Sequence, residues 1–314
     1  MKKILSLILV LVFVLTCAVA CNKPNTPEEP TEAPTEDTNP AEKTYSLALA
    51  VDTAFGKGNK VSNIVMALVI DADGKIVSAR VDAVEATPAL DEAGALIAQE
   101  SVATKVELGD AYDSMSAGSW QAQATAFENW LVGKTAADVA ATEFTNELIA
   151  GCTMTSSMAT FKTLVAEAFA SKLKVSFATA EAITSSIAIN TAVKEGKGGK
   201  ITVSSDVAAV VMAGGKVAAA AIDTIEQNYT IAEGALVPAD LAASKTEQGD
   251  DYTMTAGAWY KQAAVFCKAI VGMTATELEA FEPVSDALAA AGCTMQSTPA
   301  GYKTTLIKAV STAR

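Results

Sequence analysis

Residues able to do chemistry occur in this sequence as two matched sets. Ala150-Gly151-Cys152-Thr153-Met154 precedes one run that reads as a helix, and Ala291-Gly292-Cys293-Thr294-Met295 precedes another. Each set has a tryptophan upstream, Trp120 and Trp259, at helical spacing from Phe127 and Phe266. By residue type alone, Gly151 and Gly292 suit turns, and Thr153 and Thr294 suit helix caps. Cys152 and Cys293 suit small buried positions, and the tryptophans suit a core. A repeated acidic pair, Glu107 with Asp110 and Glu247 with Asp250, has the donors to bind a cation or to work as acid and base. With no aromatic sugar platform beside it, it reads as a solvated turn.

Several kinds of chemistry are excluded. The sequence has no histidine, which removes Ser-His-Asp and Cys-His catalysis, HExxH zinc sites and imidazole as a general base. Beyond Cys21 only Cys152, Cys267 and Cys293 remain, so at most one disulfide can form within the chain and disulfides are not its scaffold. Gly56-Lys57-Gly58-Asn59-Lys60 and Gly196-Lys197-Gly198-Gly199-Lys200 lack the spacing of a phosphate loop and read as strand connectors. Asp71-Ala72-Asp73-Gly74 lacks the later glutamate of an EF-hand and reads as a hairpin turn.

The elements that must hold these residues also come in pairs. Val81-Asp82-Ala83-Val84-Glu85 is answered by Ile222-Asp223-Thr224-Ile225-Glu226, and Lys105 to Asp110 by Lys245 to Asp250. Val132-Gly133-Lys134-Thr135 is answered by Val271-Gly272-Met273-Thr274. Order and spacing persist over most of the chain, so one unit is present twice. In each unit β-rich runs predict a hairpin, Val61 to Ile70 with Lys75 to Val84 and Val207 to Met212 with Lys216 to Ile225. An amphipathic helix follows from Ser119 to Leu131, and its counterpart carries Trp259, Phe266 and Ile270. Gly133 and Gly272 suit its C-terminal cap, and Thr135 and Thr274 the N-cap of a short next helix. Closing helices are expected over Phe161 to Ala170 and Tyr302 to Val310. The fold expected is α+β: two tandem copies, 45–173 and 174–314, each a small antiparallel sheet packed on helices.

Ahead of them, Lys2 and Lys3 precede an uncharged run from Ile4 to Ala20 that ends in small residues, the pattern of a cleaved signal peptide over 1–20. Ala18-Val19-Ala20-Cys21 resembles the lipobox of bacterial lipoproteins, with Ala18 where leucine is usual. The resemblance implies that Cys21 is acylated and becomes the mature N-terminus, anchoring the chain to the outer face of the cell membrane. Ordinary secretory cleavage near Ala20 is the other reading. Residues 21–44, rich in proline, threonine and glutamate, are expected to form a disordered tether. The formal charge of −13 becomes more negative when the two signal lysines leave. Such acidity argues against nucleic-acid partners and against a basic membrane-docking face.

The repeated unit resembles domains of Firmicutes lipoproteins with a GD-x-Y stretch, a tryptophan helix, a GKT step and a late threonine. More distantly it resembles the FMN-binding domain of flavinylated surface proteins, in which a threonine carries FMN through a phosphoester. That resemblance would place flavin on Thr153 and Thr294, with Gly151 and Gly292 allowing the phosphate to approach and Trp120 or Trp259 stacking on the ring. It implies a redox carrier rather than an enzyme with its own catalytic residues, partnered by a flavin transferase and a membrane reductase. The motif departs from the family at Cys152 and Cys293, where alanine is usual, and at Ala150 and Ala291, where serine or threonine is usual. Two function classes therefore stand: a surface electron carrier with FMN, bound covalently or noncovalently, and a non-catalytic surface lipoprotein that binds a small ligand, a wall component or a protein.

Overall fold

The computed structural model describes residues 41–112, 117–295 and 299–314, without the side chains of Thr155 and Ser156. The expected signal peptide, the lipidation site Cys21 and the expected 21–44 tether as far as residue 40 lie outside the described residues, whereas Lys43 and Thr44 at the end of that stretch are strand and not disordered, because they pair with Thr179 and Ala178. The described residues belong to one compact unit.

The first half of that unit runs β1 (Lys43–Phe55), β2 (Val61–Asp71), β3 (Ile76–Ala86), β4 (Gln99–Val102), α1 (Lys105–Leu108), α2 (Trp120–Leu131), α3 (Ala136–Ala141) and α4 (Thr155–Ala170). The second runs β5 (Val175–Thr179), β6 (Ile183–Glu195), β7 (Ile201–Ala213), β8 (Lys216–Ala232), β9 (Ala235–Pro238), α5 (Lys245–Gln248), α6 (Trp259–Ala269), α7 (Ala275–Ala280), α8 (Asp286–Ala290) and α9 (Pro299–Ser311).

Two antiparallel sheets, ordered β3-β2-β1-β5 and β4-β6-β7-β8-β9, are packed with helices. Period-2 geometry sends alternate side chains to opposite faces, and here both faces are buried. Ala48, Met66, Leu68 and Val81 join Phe127, Leu131 and Phe161 in a core under α2 and α4. Ala208, Val210 and Ile222 join Trp259, Phe266 and Tyr302 under α6 and α9. The intervening residues, Leu47, Leu49, Val65 and Val69 of one sheet with Ile189, Val207, Val211 and Ala221 of the other, make a third core between the sheets. The layers therefore run helices, sheet, sheet, helices. Burial on both faces explains why Val65 to Ile70 and Val207 to Val211 are apolar without a break. A polar link crosses the inter-sheet core: buried Asn63 on β2 donates to Ser205 Oγ on β7 at 2.9 Å.

The hairpin around Asp71 forms as expected, with Asp71 Oδ1 accepting from the N–H groups of Asp73 and Lys75 and Gly74 at φ 77°. Both glycine-rich stretches connect strands. Thr135 and Thr274 cap α3 and α7, each in a reciprocal box with the acid three positions on. Gly133 and Gly272 do take positive φ past the helix end, at 85° and 87°. Their N–H groups go to the Ile76 and Val217 carbonyls, while the Lys134 and Met273 N–H groups turn back to Leu131 and Ile270, so this step both closes the helix end and docks it onto the start of β3 or β8. The closing helices begin earlier than expected, at Thr155 and Pro299.

The short edge strands are an addition. β4, in the first half of the chain, pairs with β6, and β5, just past residue 174, pairs with β1. Each half thus lends a strand to the sheet built mainly by the other.

Candidate functional site

Gly151-Cys152-Thr153 sits where the chain turns from the loop after α3 into α4. Gly151 takes φ 79°, a conformation that favours glycine. Cys152 and Met154 flank Thr153 in sequence and point into the core, both nearly inaccessible. Thr153, between them, is part-exposed and held from α2: its backbone N–H and its hydroxyl both donate to Gln123 Oε1, at 2.8 and 3.1 Å. Gln123 is wholly buried, and its Nε2 donates to the Gly118 carbonyl at 3.0 Å. One amide therefore ties the start of α2 to the entry of α4.

The second corner has the same geometry. Gly292 takes φ 99°, Cys293 and Met295 are buried, and part-exposed Thr294 donates its N–H and hydroxyl to Gln262 Oε1 at 2.8 and 3.0 Å. Gln262 Nε2 donates to the Gly257 carbonyl at 2.9 Å. A buried amide left unpaired costs about 1–3 kcal/mol, so each glutamine is a brace. Sequence reasoning missed both residues. The signal was present, since each stands three positions after the tryptophan of its helix, on the stripe that faces the core.

Trp120 and Trp259 are only 4% and 1% exposed. Trp259 meets Tyr302 edge-on, and the Lys245 ammonium lies 5.9 Å from its ring centre. Lys105 lies 5.7 Å from the ring centre of Trp120. The ring faces expected to stack on a flavin are thus taken up by the protein's own side chains.

Those lysines belong to a second paired constellation. Lys105 bonds Glu85 at 2.9 Å and lies over Tyr112; Lys245 bonds Glu226 at 3.2 Å and lies over Tyr252. Beside each, a buried aspartate closes the N-terminus of a short helix. Asp82 Oδ1 accepts from the Ala83 and Val106 N–H groups, and Asp223 Oδ1 from those of Thr224 and Thr246. Burial outweighs those hydrogen bonds and raises both carboxyls to about 6.

The acidic pair resolves into separate parts. Glu107 and Glu247 complete capping boxes with Thr104 and Ser244, and exposed Asp250 pairs with Lys261 at 2.9 Å. Cys152, Cys267 and Cys293 are unbridged and buried, and burial raises each thiol above its ordinary value. Among the described residues no group of acidic or cysteine side chains has the geometry to hold a metal ion, and no helix is long and apolar enough to cross a membrane.

A cavity of about 230 Å³ opens away from both corners, between β1, the end of α4 and α5. Leu49, Ala50, Val51 and Ala170 give it apolar walls, and Glu167, Asp223 and Glu247 give it acidic ones. Comparison with protein-family models, with curated proteins and with solved structures gave no match for this chain.

Proposed function

We propose that this chain is a lipid-anchored extracellular protein made of two copies of one module, and that it works as a non-catalytic binding protein. The observation that carries the reading is how the corner residues are used. Gln123 and Gln262 grip the two threonines from within the core, Cys152 and Cys293 are buried, and both indoles are packed. The part of the site that would seat a ring is spent on structure, while an acidic cavity elsewhere is left open to solvent. The matched corners, braces and lysine constellations support the two-copy reading. The lipobox-like Cys21 and the proline-rich stretch support a tether to the outer face of the membrane.

A second reading, flavin attached to Thr153 and Thr294 by a transferase and reduced by a membrane partner, is favoured by one fact: both threonines are part-exposed. Mass spectrometry of the protein isolated from its own membranes separates the two. The binding-protein reading expects a diacylglyceryl group on Cys21, lost in Cys21→Ser, and unmodified Thr153 and Thr294. An FMN adduct on either threonine overturns it.

A further inference from the structure

The two halves differ at one matched place in a way that points to a ligand, an argument that rests on the two-copy reading. On one side Lys308 of α9 reaches Glu107 Oε1 at 2.6 Å and donates to the Ile189 carbonyl at 2.7 Å. Glu107 is the third residue of α1, and its other oxygen takes the Thr104 N–H in the capping box.

The same framework recurs on the other side without the ammonium. Glu247 holds the third position of α5, with Oε2 taking the Ser244 N–H at 2.7 Å. Val51 faces Val65, which faces Asp82, as Ile189 faces Val207, which faces Asp223, so Val51 supplies the matching carbonyl position. Counting from the Gly-Cys-Thr corners, the position of Lys308 falls on Glu167 in α4. A carboxylate therefore stands where its counterpart is an ammonium.

Asp52 adds a third negative charge, and among the described residues none of Asp52, Glu167 and Glu247 forms an ion pair. Burial, and then mutual repulsion with Glu247, raises the Asp52 and Glu167 carboxyls. Glu167 Oε2 is buried with no hydrogen-bond partner. Thr246, 7% exposed and lining the same cavity, has its hydroxyl beside Asp223 but outside hydrogen-bond geometry, with no other partner. Lys172 on the rim does not fill the gap, because its ammonium lies against Gly249, towards Asp250.

We infer that the cavity between β1, α4 and α5 binds a primary alkylammonium group from outside the chain, in the role that Lys308 fills on the other side. Such a group has three N–H donors, matched by the Val51 carbonyl, the Glu247 carboxylate and the Glu167 carboxylate. The walls formed by Leu49, Ala50, Val51 and Ala170 accept the attached alkyl chain. A bare metal ion fits less well, because these acids do not converge in metal-holding geometry.

The test is calorimetric titration of the full mature chain with pentylammonium chloride at neutral pH, with tetramethylammonium and calcium chlorides as the other arms. Saturable pentylammonium binding at a single site is expected, weakened about tenfold or more for tetramethylammonium, which has no N–H to donate. Glu167→Gln should weaken the amine by a similar factor. Glu167→Lys, which rebuilds the Lys308 arrangement, should abolish amine binding and raise the Tm. The inference is overturned if the folded protein takes up no pentylammonium, if Glu167→Lys binds it unchanged, or if calcium binds more tightly than the amine. Because the titration does not depend on Thr153 or Thr294, a flavin adduct there would sink the binding-protein reading while leaving this result to stand or fall separately.

Discussion

Thr153 gives both its backbone N–H and its hydroxyl to a single acceptor, the Oε1 of Gln123, from a position 30 residues further along the chain. The same two-to-one relationship joins Thr294 to Gln262. A residue that reads as a candidate attachment point is thereby also the clasp between two helices.

Removing the acceptor should cost more than removing the hydroxyl. Gln123→Ala strands the Thr153 N–H and the Gly118 carbonyl, so a loss of about 2–4 kcal/mol is expected, against about 1 kcal/mol for Thr153→Val. Urea denaturation of the single and double variants checks this. A double variant no less stable than Gln123→Ala alone would show that the hydroxyl acts only through the glutamine.

The tryptophans should behave as core. Trp259→Ala removes a side chain 1% exposed and packed on Tyr302, for an expected loss of about 3–5 kcal/mol. In a Trp130→Phe background the emission of Trp120 and Trp259 should be blue-shifted and resist acrylamide quenching. Ready quenching in the native state would contradict their placement.

The pH dependence has a definite sign. Asp82 and Asp223 titrate near 6 when folded, against 3.8 as their ordinary value, so between those values the folded chain holds protons that the unfolded chain has released. Stability should therefore rise as pH falls from 7 towards 5. Glu85 and Glu107 act in the opposite sense. Burial opposes their ionisation, but bonds to Lys60 and Lys105 and to Lys308 and Thr104 outweigh it and lower their values. Their contribution is lost only as pH falls further, below the ordinary glutamate range. Denaturation midpoints across pH 3 to 7 should therefore keep rising on acidification to a maximum at about pH 4, near the ordinary carboxylate values, and Asp82→Asn should flatten the rise.

The thiols should be silent. Cys152, Cys267 and Cys293 are at most 3% exposed with raised thiol values, so brief iodoacetamide treatment should label none of them in the native chain and all three in denaturant. Native labelling at Cys152 or Cys293 would mean that the corners open.

The sequence made the local elements legible. The hairpin at Asp71, the helix from Trp120, and the boxes at Thr135 and Thr274 are set by residues within a few positions of one another. The matched corners could also be located without a structure. The exchange of β4 and β5 was not legible, because strands of four and five residues carry little periodicity and their partners lie far away in the chain. Runs such as Val65 to Ile70 were read as hairpin strands, and nothing local to them could name the second sheet that covers their other face. Gln123 was hidden by its type, since glutamine in a helix suggests a solvent face until its partner across the fold is known. The contrast between Lys308 and Glu167 needed both the matched halves and the carbonyl position of Val51 to acquire meaning.

If the Gly-Cys-Thr corners are braces and not cofactor seats, as proposed, the full mature chain titrated with FMN and followed by flavin fluorescence should show it. No saturable quenching is expected, and the same flat response is expected from Thr153→Val/Thr294→Val. Saturable binding by the native chain that disappears in that double variant would contradict it.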